Sequence, residues 1–166
     1  MFHKLWAAAN IILLFGSIIF IWIFQPHINT LTVISQFLAQ IAIILFIVNL
    51  NMYFLFLLIR KTKQRTMKIR LATFSRYLMK WHIKIAISSA LLIAGHVIIN
   101  FMKLGRIIGY DHIKMMMGYM AFILLQVTLI AGYLRHKKAS GFRKEFHRVT
   151  AMVFTVIFLI HLLIPL

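Results

Sequence analysis

Five long apolar runs, separated by short segments that hold almost every charge, confine this chain to helices packed within a lipid bilayer. A bilayer offers no water to backbone amides, so only helices and closed barrels cross it, and runs of this length suit helices. The runs fall at about 5–24, 31–59, 81–101, 112–134 and 146–166. We therefore expect an all-α integral membrane protein, a single domain over residues 1–166 with five transmembrane helices in one bundle. Hydrophobic residues make up 63% of the chain and the mean hydropathy is +0.93, which excludes a soluble fold. The first run is too long for a signal-peptide core, and Gln25-Pro26-His27 follows it where a cleavage site would need small residues. It is expected to persist as a helix. In the second run Gln36, Gln40, Asn49 and Asn51 require partners inside the bundle.

Nineteen Lys and Arg stand against two acids, Asp111 and Glu145, for a net charge of +17. In a soluble chain that balance would suggest nucleic acid. Here the bases crowd the ends of apolar runs, so anionic lipid and the positive-inside rule account for them, and no nucleic-acid partner is expected. The connectors 60–80 and 135–145 are strongly basic and belong on the cytoplasmic side. That puts the N-terminus inside, the C-terminus outside, and the third and fifth helices parallel. Within 60–80, apolar Ile69, Phe74 and Tyr77 alternate with Lys68, Arg70 and Lys80, a pattern expected of an interfacial segment lying on the membrane.

Two histidine pairs share one spacing: His82 and His96 in the third run, His147 and His161 in the fifth, each fourteen positions apart. Fourteen residues rise roughly 21 Å and turn about 40° short of four full turns, so both imidazoles of a helix share one face. Parallel helices then match His82 with His147 near the inner surface and His96 with His161 toward the outer one. Two stacked gaps of this kind suit two haem b groups held by axial histidines. The chain has no cysteine, which removes disulfides, iron–sulfur clusters, thiolate ligation and covalent haem attachment. His96 and His161, flanked by Leu, Ile and Val at membrane depth, are functional candidates by position, whereas a lone interfacial histidine such as His82 or His147 is commonly just solvated.

Around the inner pair, Lys80, Lys84 and Arg148 could neutralise haem propionates, and Lys103 and Arg106 could do so around the outer pair. Small residues share the histidine ridges, Ala86, Ala90 and Ala94 on one helix and Ala151 and Thr155 on the other, and Ser89 and Phe154 lie midway between the ligand positions. His112 beside Asp111 reads first as a helix-start polar pair, with acceptor binding or proton relay as the alternative. Met115, Met116 and Met117 read as packing residues. Gln126 and Thr128 could bond across the bundle or face a quinone.

Residues 117–163, with Gly118-Tyr119-Met120, the basic turn 135–144, Phe146-His147-Arg148-Val149 and Leu159-Ile160-His161-Leu162-Leu163, resemble the ferric reductase-like transmembrane domain. That domain is shared by ferric reductases, NADPH oxidases and the haem-binding subunit of methionine sulfoxide reductase systems. The resemblance covers residues 81 to the C-terminus, and its specific part is the histidine pairs. It implies that His82, His96, His147 and His161 are haem iron ligands and that the chain is an electron-transfer subunit of a membrane oxidoreductase, with no catalytic side chain of its own. The chain stops five residues after His161 and no Rossmann-type glycine motif follows, so a separate cytoplasmic flavoprotein or a membrane quinol is expected as donor, with an extracytoplasmic acceptor. The expected location is a cell membrane, the inner one in a bacterium. A second reading is a quinol-oxidising haem subunit of an extracytoplasmic reductase. A third, of another class, is a cofactor-free transporter component or assembly factor whose histidines serve protons or metal ions.

Overall fold

The computed structural model describes residues 2–138 and 140–165; Met1, Leu166 and, in the second basic connector, Ala139 lie outside the described residues. The elements are α1 (Phe2–Ile19), which runs on into a π-helical stretch (Phe20–Phe24), α2 (Thr30–Lys61), α3 (Arg65–Met102), the short α4 (Leu104–Ile108), α5 (Ile113–Lys137) and α6 (Gly141–Leu163). The described residues contain no strand. Five helices are long and apolar enough to cross a membrane, so the chain is a multi-pass membrane protein by length and composition.

Local signals place the helix starts. Asn29 and Thr32 close a capping box on α2, the Asn29 side chain accepting from Thr32 N–H at 2.9 Å while Thr32 Oγ1 accepts from Asn29 N–H at 3.2 Å. His112 caps α5 by accepting from Lys114 N–H at 3.2 Å, which is the helix-start role expected of it. Ser140 caps α6, accepting from Arg143 N–H at 3.2 Å. At their other ends α2 closes with Arg60 and Lys61, and α5 with Arg135, His136 and Lys137, where positive charge meets the negative end of the helix dipole.

The largest departure from expectation is α3. Residues 65–80 were expected as an interfacial segment separate from the third span, but they form the first sixteen residues of one 38-residue helix, about 57 Å long. The physical reason is that this stretch contains neither Gly nor Pro and is rich in Lys, Arg, Met and Leu, so nothing stops the helix short of Thr62–Gln64. Charge makes the segment polar without making it irregular. Since about 30 Å crosses the hydrocarbon layer, α3 carries a basic extension well beyond the membrane. The helix α6 likewise begins at Gly141, five residues before the expected span.

Packing builds two antiparallel pairs, α2 with α3 and α5 with α6, each more extensive than the contact between α3 and α5 that joins them. Ala121 and Leu125 of α5 and Phe154 of α6 form one core cluster, against which Phe46 of α2 and Ala90 and Ile93 of α3 pack. A second cluster, Ile21, Ile43 and Ile47, is closed by Phe158 and Leu162 of α6. The distribution of polarity is inverted relative to a soluble protein. Ser17 and Ser35 are 1% exposed, whereas Ile12, Ile23 and Leu91 are exposed at about 70%.

Buried polar groups zip α1 to α2. Asn51 donates to Asn10 Oδ1 at 3.0 Å and Gln40 to Ser17 Oγ at 3.3 Å, and Gln36 donates to the Pro26 carbonyl at 3.1 Å. Three of the four amides that needed partners thus find them through nitrogen, while the side-chain oxygens of Gln36, Gln40, Asn49 and Asn51 have no partner among the described residues. Ser89 turns away from α6 and donates to the Ala42 carbonyl at 3.3 Å, so it seals α2 against α3 instead of lying in the gap between the histidines. Ala42 is 1% exposed at that contact. Adding three carbons there would wedge the helices apart, an overpacking cost of about 1–3 kcal/mol. Ala42→Leu should lower the thermal unfolding midpoint of the detergent-purified protein, followed by circular dichroism, while Ile44→Leu on the exposed side leaves it unchanged; equal midpoints for both would contradict this packing.

Candidate functional site

The four sequence-selected histidines come together in the expected pairs. His82 of α3 faces His147 of α6 with ring centroids 6.5 Å apart and ring planes at 88°. His96 of α3 and His161 of α6 line one cavity of about 140 Å³ at the opposite end of the bundle from the basic connectors. All four rings are partly buried. The helices α3 and α6 therefore run parallel, and the fourteen-residue spacing sets both pairs at matched heights.

Backbone carbonyls hold three of these rings by the same atom. His147 Nδ1 lies 3.2 Å from the Thr128 carbonyl, His161 Nδ1 lies 3.0 Å from the Lys114 carbonyl, and His96 Nδ1 lies 3.0 Å from the Ser35 carbonyl. A carbonyl can only accept, so at His147 and His161 Nδ1 carries the proton and Nε2 is left with a free lone pair, whereas His96 Nδ1 also lies 3.0 Å from the Ser35 hydroxyl and 3.3 Å from Asn100 Nδ2. His96 Nε2 lies 3.1 Å from the same Asn100 Nδ2. His82 differs, since its buried Nδ1 has no hydrogen-bond partner among the described residues.

The two carbonyls on α5 belong to Lys114 and Thr128, which are themselves fourteen residues apart. One turn further along stand Gly118 and Gly132, again fourteen apart. A Cβ on Gly118 would meet His161 Cε1 at 2.9 Å, and one on Gly132 would meet His147 Cε1 at 3.2 Å. Each α6 imidazole thus brings its Cε1 edge against a glycine with its Nδ1–H on the carbonyl four residues earlier. The bare backbone permits this approach, and the antiparallel run of α5 against α6 repeats it at both heights. Sequence reasoning passed over these glycines as a pair. The signal was present, because 118 and 132 share the histidine spacing.

The charged side chains expected around the pairs stand elsewhere. Lys84 turns its Nζ over the Trp81 ring at 4.9 Å, Arg148 pairs with Glu145, and Lys80 is exposed. Lys103 and Arg106 are exposed and form no part of the lining around His96 and His161. Lys114 does line it, together with Gln25, Asn100 and Tyr119. Phe154 lines the same cavity and meets Phe46 edge-on at 5.4 Å, so an aromatic ring does sit between the two histidine levels. Thr128, a candidate for quinone contact, instead returns its hydroxyl to the Leu124 carbonyl at 2.8 Å. Met115 is buried in the cavity wall, as a packing residue would be.

Among the described residues no three His, Asp or Glu side chains gather as a cage for a bare metal ion. What the site offers is paired, opposed imidazoles in apolar surroundings. Neither a family model, nor a curated protein, nor a solved structure matches the chain.

The hydrogen-bond pattern predicts the tautomers. Solid-state nitrogen NMR of histidine-labelled protein, free of any cofactor, should show His147 and His161 protonated at Nδ1 and bare at Nε2. Resonances of the opposite tautomer at His147 or His161 would mean that the α5 carbonyls do not hold these rings.

Proposed function

We propose that this protein is a b-type membrane cytochrome that carries electrons from the cytoplasmic to the outer face of a cell membrane through two haems, each held by one histidine of α3 and one of α6. The observation that carries the reading is the opposed pair at the basic end. Two imidazoles bound to one metal along a line, with metal–nitrogen bonds of about 2 Å, hold their ring centroids about 6 Å apart. His82 and His147 stand at 6.5 Å. A porphyrin supplies four nitrogens of its own and needs two opposed axial donors, which is the donor set each pair presents. A bare divalent ion needs more ligands than two.

When bound, the haems would supply the one-electron chemistry; the chain orients them and tunes their surroundings. The Thr128 and Lys114 carbonyls fix the tautomers of His147 and His161 and make each Nε2 a stronger donor. Gly132 and Gly118 let those rings lie close to α5. Asn100 would have to release His96 Nε2 for that atom to reach a metal. Phe154 fills the space between the two levels and keeps it dry.

Direction rests on charge. The ends of α2 and α5, the start of α6 and the extension of α3 bring Arg60, Lys63, Arg65, Lys137, Lys138, Arg143 and Lys144 to one face, which the positive-inside rule puts in the cytoplasm. Such a face attracts an acidic flavoprotein as donor, next to the His82/His147 pair. The His96/His161 pair then stands nearest the outer acceptor. The resemblance to the ferric reductase-like domain in the histidine-bearing helices supports the same reading.

Redox-difference spectra of single variants test the pairing. His96→Ala and His161→Ala should each remove one and the same spectral component, and His82→Ala and His147→Ala the other. Gly118→Val should weaken the first component and Gly132→Val the second, by roughly 10–100-fold in haem affinity, because each pushes the axial ring off its carbonyl. Loss of a shared component by His82→Ala and His161→Ala would contradict the parallel pairing.

The donor model has its own test. Exposed charges separated by more than about 10 Å are screened at 0.1 M salt. Reduction by an acidic flavoprotein should therefore slow as ionic strength rises, and slow further when Lys137, Lys138 and Lys144 are changed to Glu. Fast reduction by a quinol analogue that ignores both changes would replace the docking model with the quinol-oxidising one.

A further inference from the structure

Lys114 is a cation inside the bundle with no carboxylate partner among the described residues. The chain has two acids; Glu145 pairs with Arg148 and Asp111 is exposed, and no other ion pair occurs among the described residues. Lys114 Nζ donates to the carbonyl of Ile164 at the end of α6 and lies 5.7 Å from the Phe20 ring centroid, in the wall of the cavity that His96 and His161 line. It is also the second residue of α5, where the helix dipole already places positive potential. Two positive contributions at one point in an apolar setting call for an anion.

A second, independent observation points into the same space. Gln25 follows the π-helical stretch, is 7% exposed and lines the cavity, yet neither its Oε1 nor its Nε2 has a hydrogen-bond partner among the described residues. A buried primary amide with every bond unmade costs about 1–3 kcal/mol per group unless a ligand satisfies it. The Tyr119 hydroxyl, in the same wall, is also unpartnered. Ammonium, amide N–H and phenol O–H together form a donor set for a carboxylate or a phosphate.

We infer that Lys114 and Gln25 form the carboxylate-binding subsite of the porphyrin held by His96 and His161, receiving a propionate there in place of the exposed Lys103 and Arg106. This rests on the haem reading above. Lys114 would then grip the cofactor from two sides: its backbone carbonyl fixes the axial ring of His161, and its side chain neutralises the cofactor's charge. A cation beside the iron favours the reduced, less positive haem over the oxidised one, so its removal lowers the potential of that haem. A lipid phosphate has the same chemistry and is the competing source of the anion.

The full-length apoprotein, in detergent and then in nanodiscs of phosphatidylcholine or phosphatidylglycerol, is titrated with haemin and with its dimethyl ester, which has no free carboxylate. Binding is read at the component that His161→Ala abolishes. Lys114→Met should weaken haemin there by roughly tenfold, the scale of one charged hydrogen bond, and leave the His82/His147 component unchanged. Lys114→Arg should restore most of the affinity, Gln25→Leu should cause a smaller loss, and the ester should bind wild type and Lys114→Met equally. Redox titration should show a lower midpoint for this component alone in Lys114→Met. Equal weakening of haemin and ester would make Lys114 a structural residue and overturn the subsite. A loss that appears only with phosphatidylglycerol would assign the anion to lipid and also overturn it. Normal haemin binding at both components in Lys114→Met overturns the subsite but leaves the cytochrome reading standing, whereas wild-type protein that takes up no haemin at either component overturns both.

Discussion

The arrangement depends on hydrogen bonds from imidazole Nδ1–H to backbone carbonyls of neighbouring helices. A histidine in lipid cannot leave both nitrogens bare without cost, and a free ring would turn toward whichever partner it found. By giving Nδ1 to the Thr128 and Lys114 carbonyls, α5 aims both α6 rings at α3 and leaves Nε2 available. Ser35 on α2 sets its carbonyl at His96 Nδ1 from the far side of α3. The histidine face between α3 and α6 is thus set by helices that contribute no histidine to it.

Helix periodicity explains why so few residues suffice. A repeat of fourteen returns nearly to the same face, so one local solution can be used at two depths. In α5 the solution is a carbonyl and, one turn on, a glycine, used at 114/118 and again at 128/132. The two levels are not identical. His82 has no Nδ1 partner, whereas His96 makes bonds through both nitrogens, so the basic-end pair is held on one side only. The cavity at the other level is lined by Lys114 and Gln25.

Much of this was legible in the sequence, for reasons that also explain what was not. Span number follows from hydropathy because lipid forbids alternatives, and the histidine pairs follow from spacing because helical geometry is rigid. The α3 extension was read as a separate interfacial segment because apolar and basic residues alternate there, although no Gly, Pro or competing cap breaks the helix before the span. The roles of Lys84 and Arg148 were missed because linear proximity says nothing about direction: one turns to Trp81 and the other to Glu145. Lys114 escaped notice because a lysine near a span end reads as a snorkelling residue, and only the packing of α5 on α6 turns it inward. Gly118 and Gly132 were visible as letters, but their meaning needed the imidazoles that lie on them.

Pyridine haemochrome analysis of the full-length chain, purified from cells supplied with haem, measures the cofactor content directly. The paired imidazoles predict close to two non-covalent haem b per chain, with low-spin spectra because both axial positions are filled. Folded, monodisperse protein that carries no haem, or a single haem unaffected by loss of any of His82, His96, His147 or His161, would contradict the account.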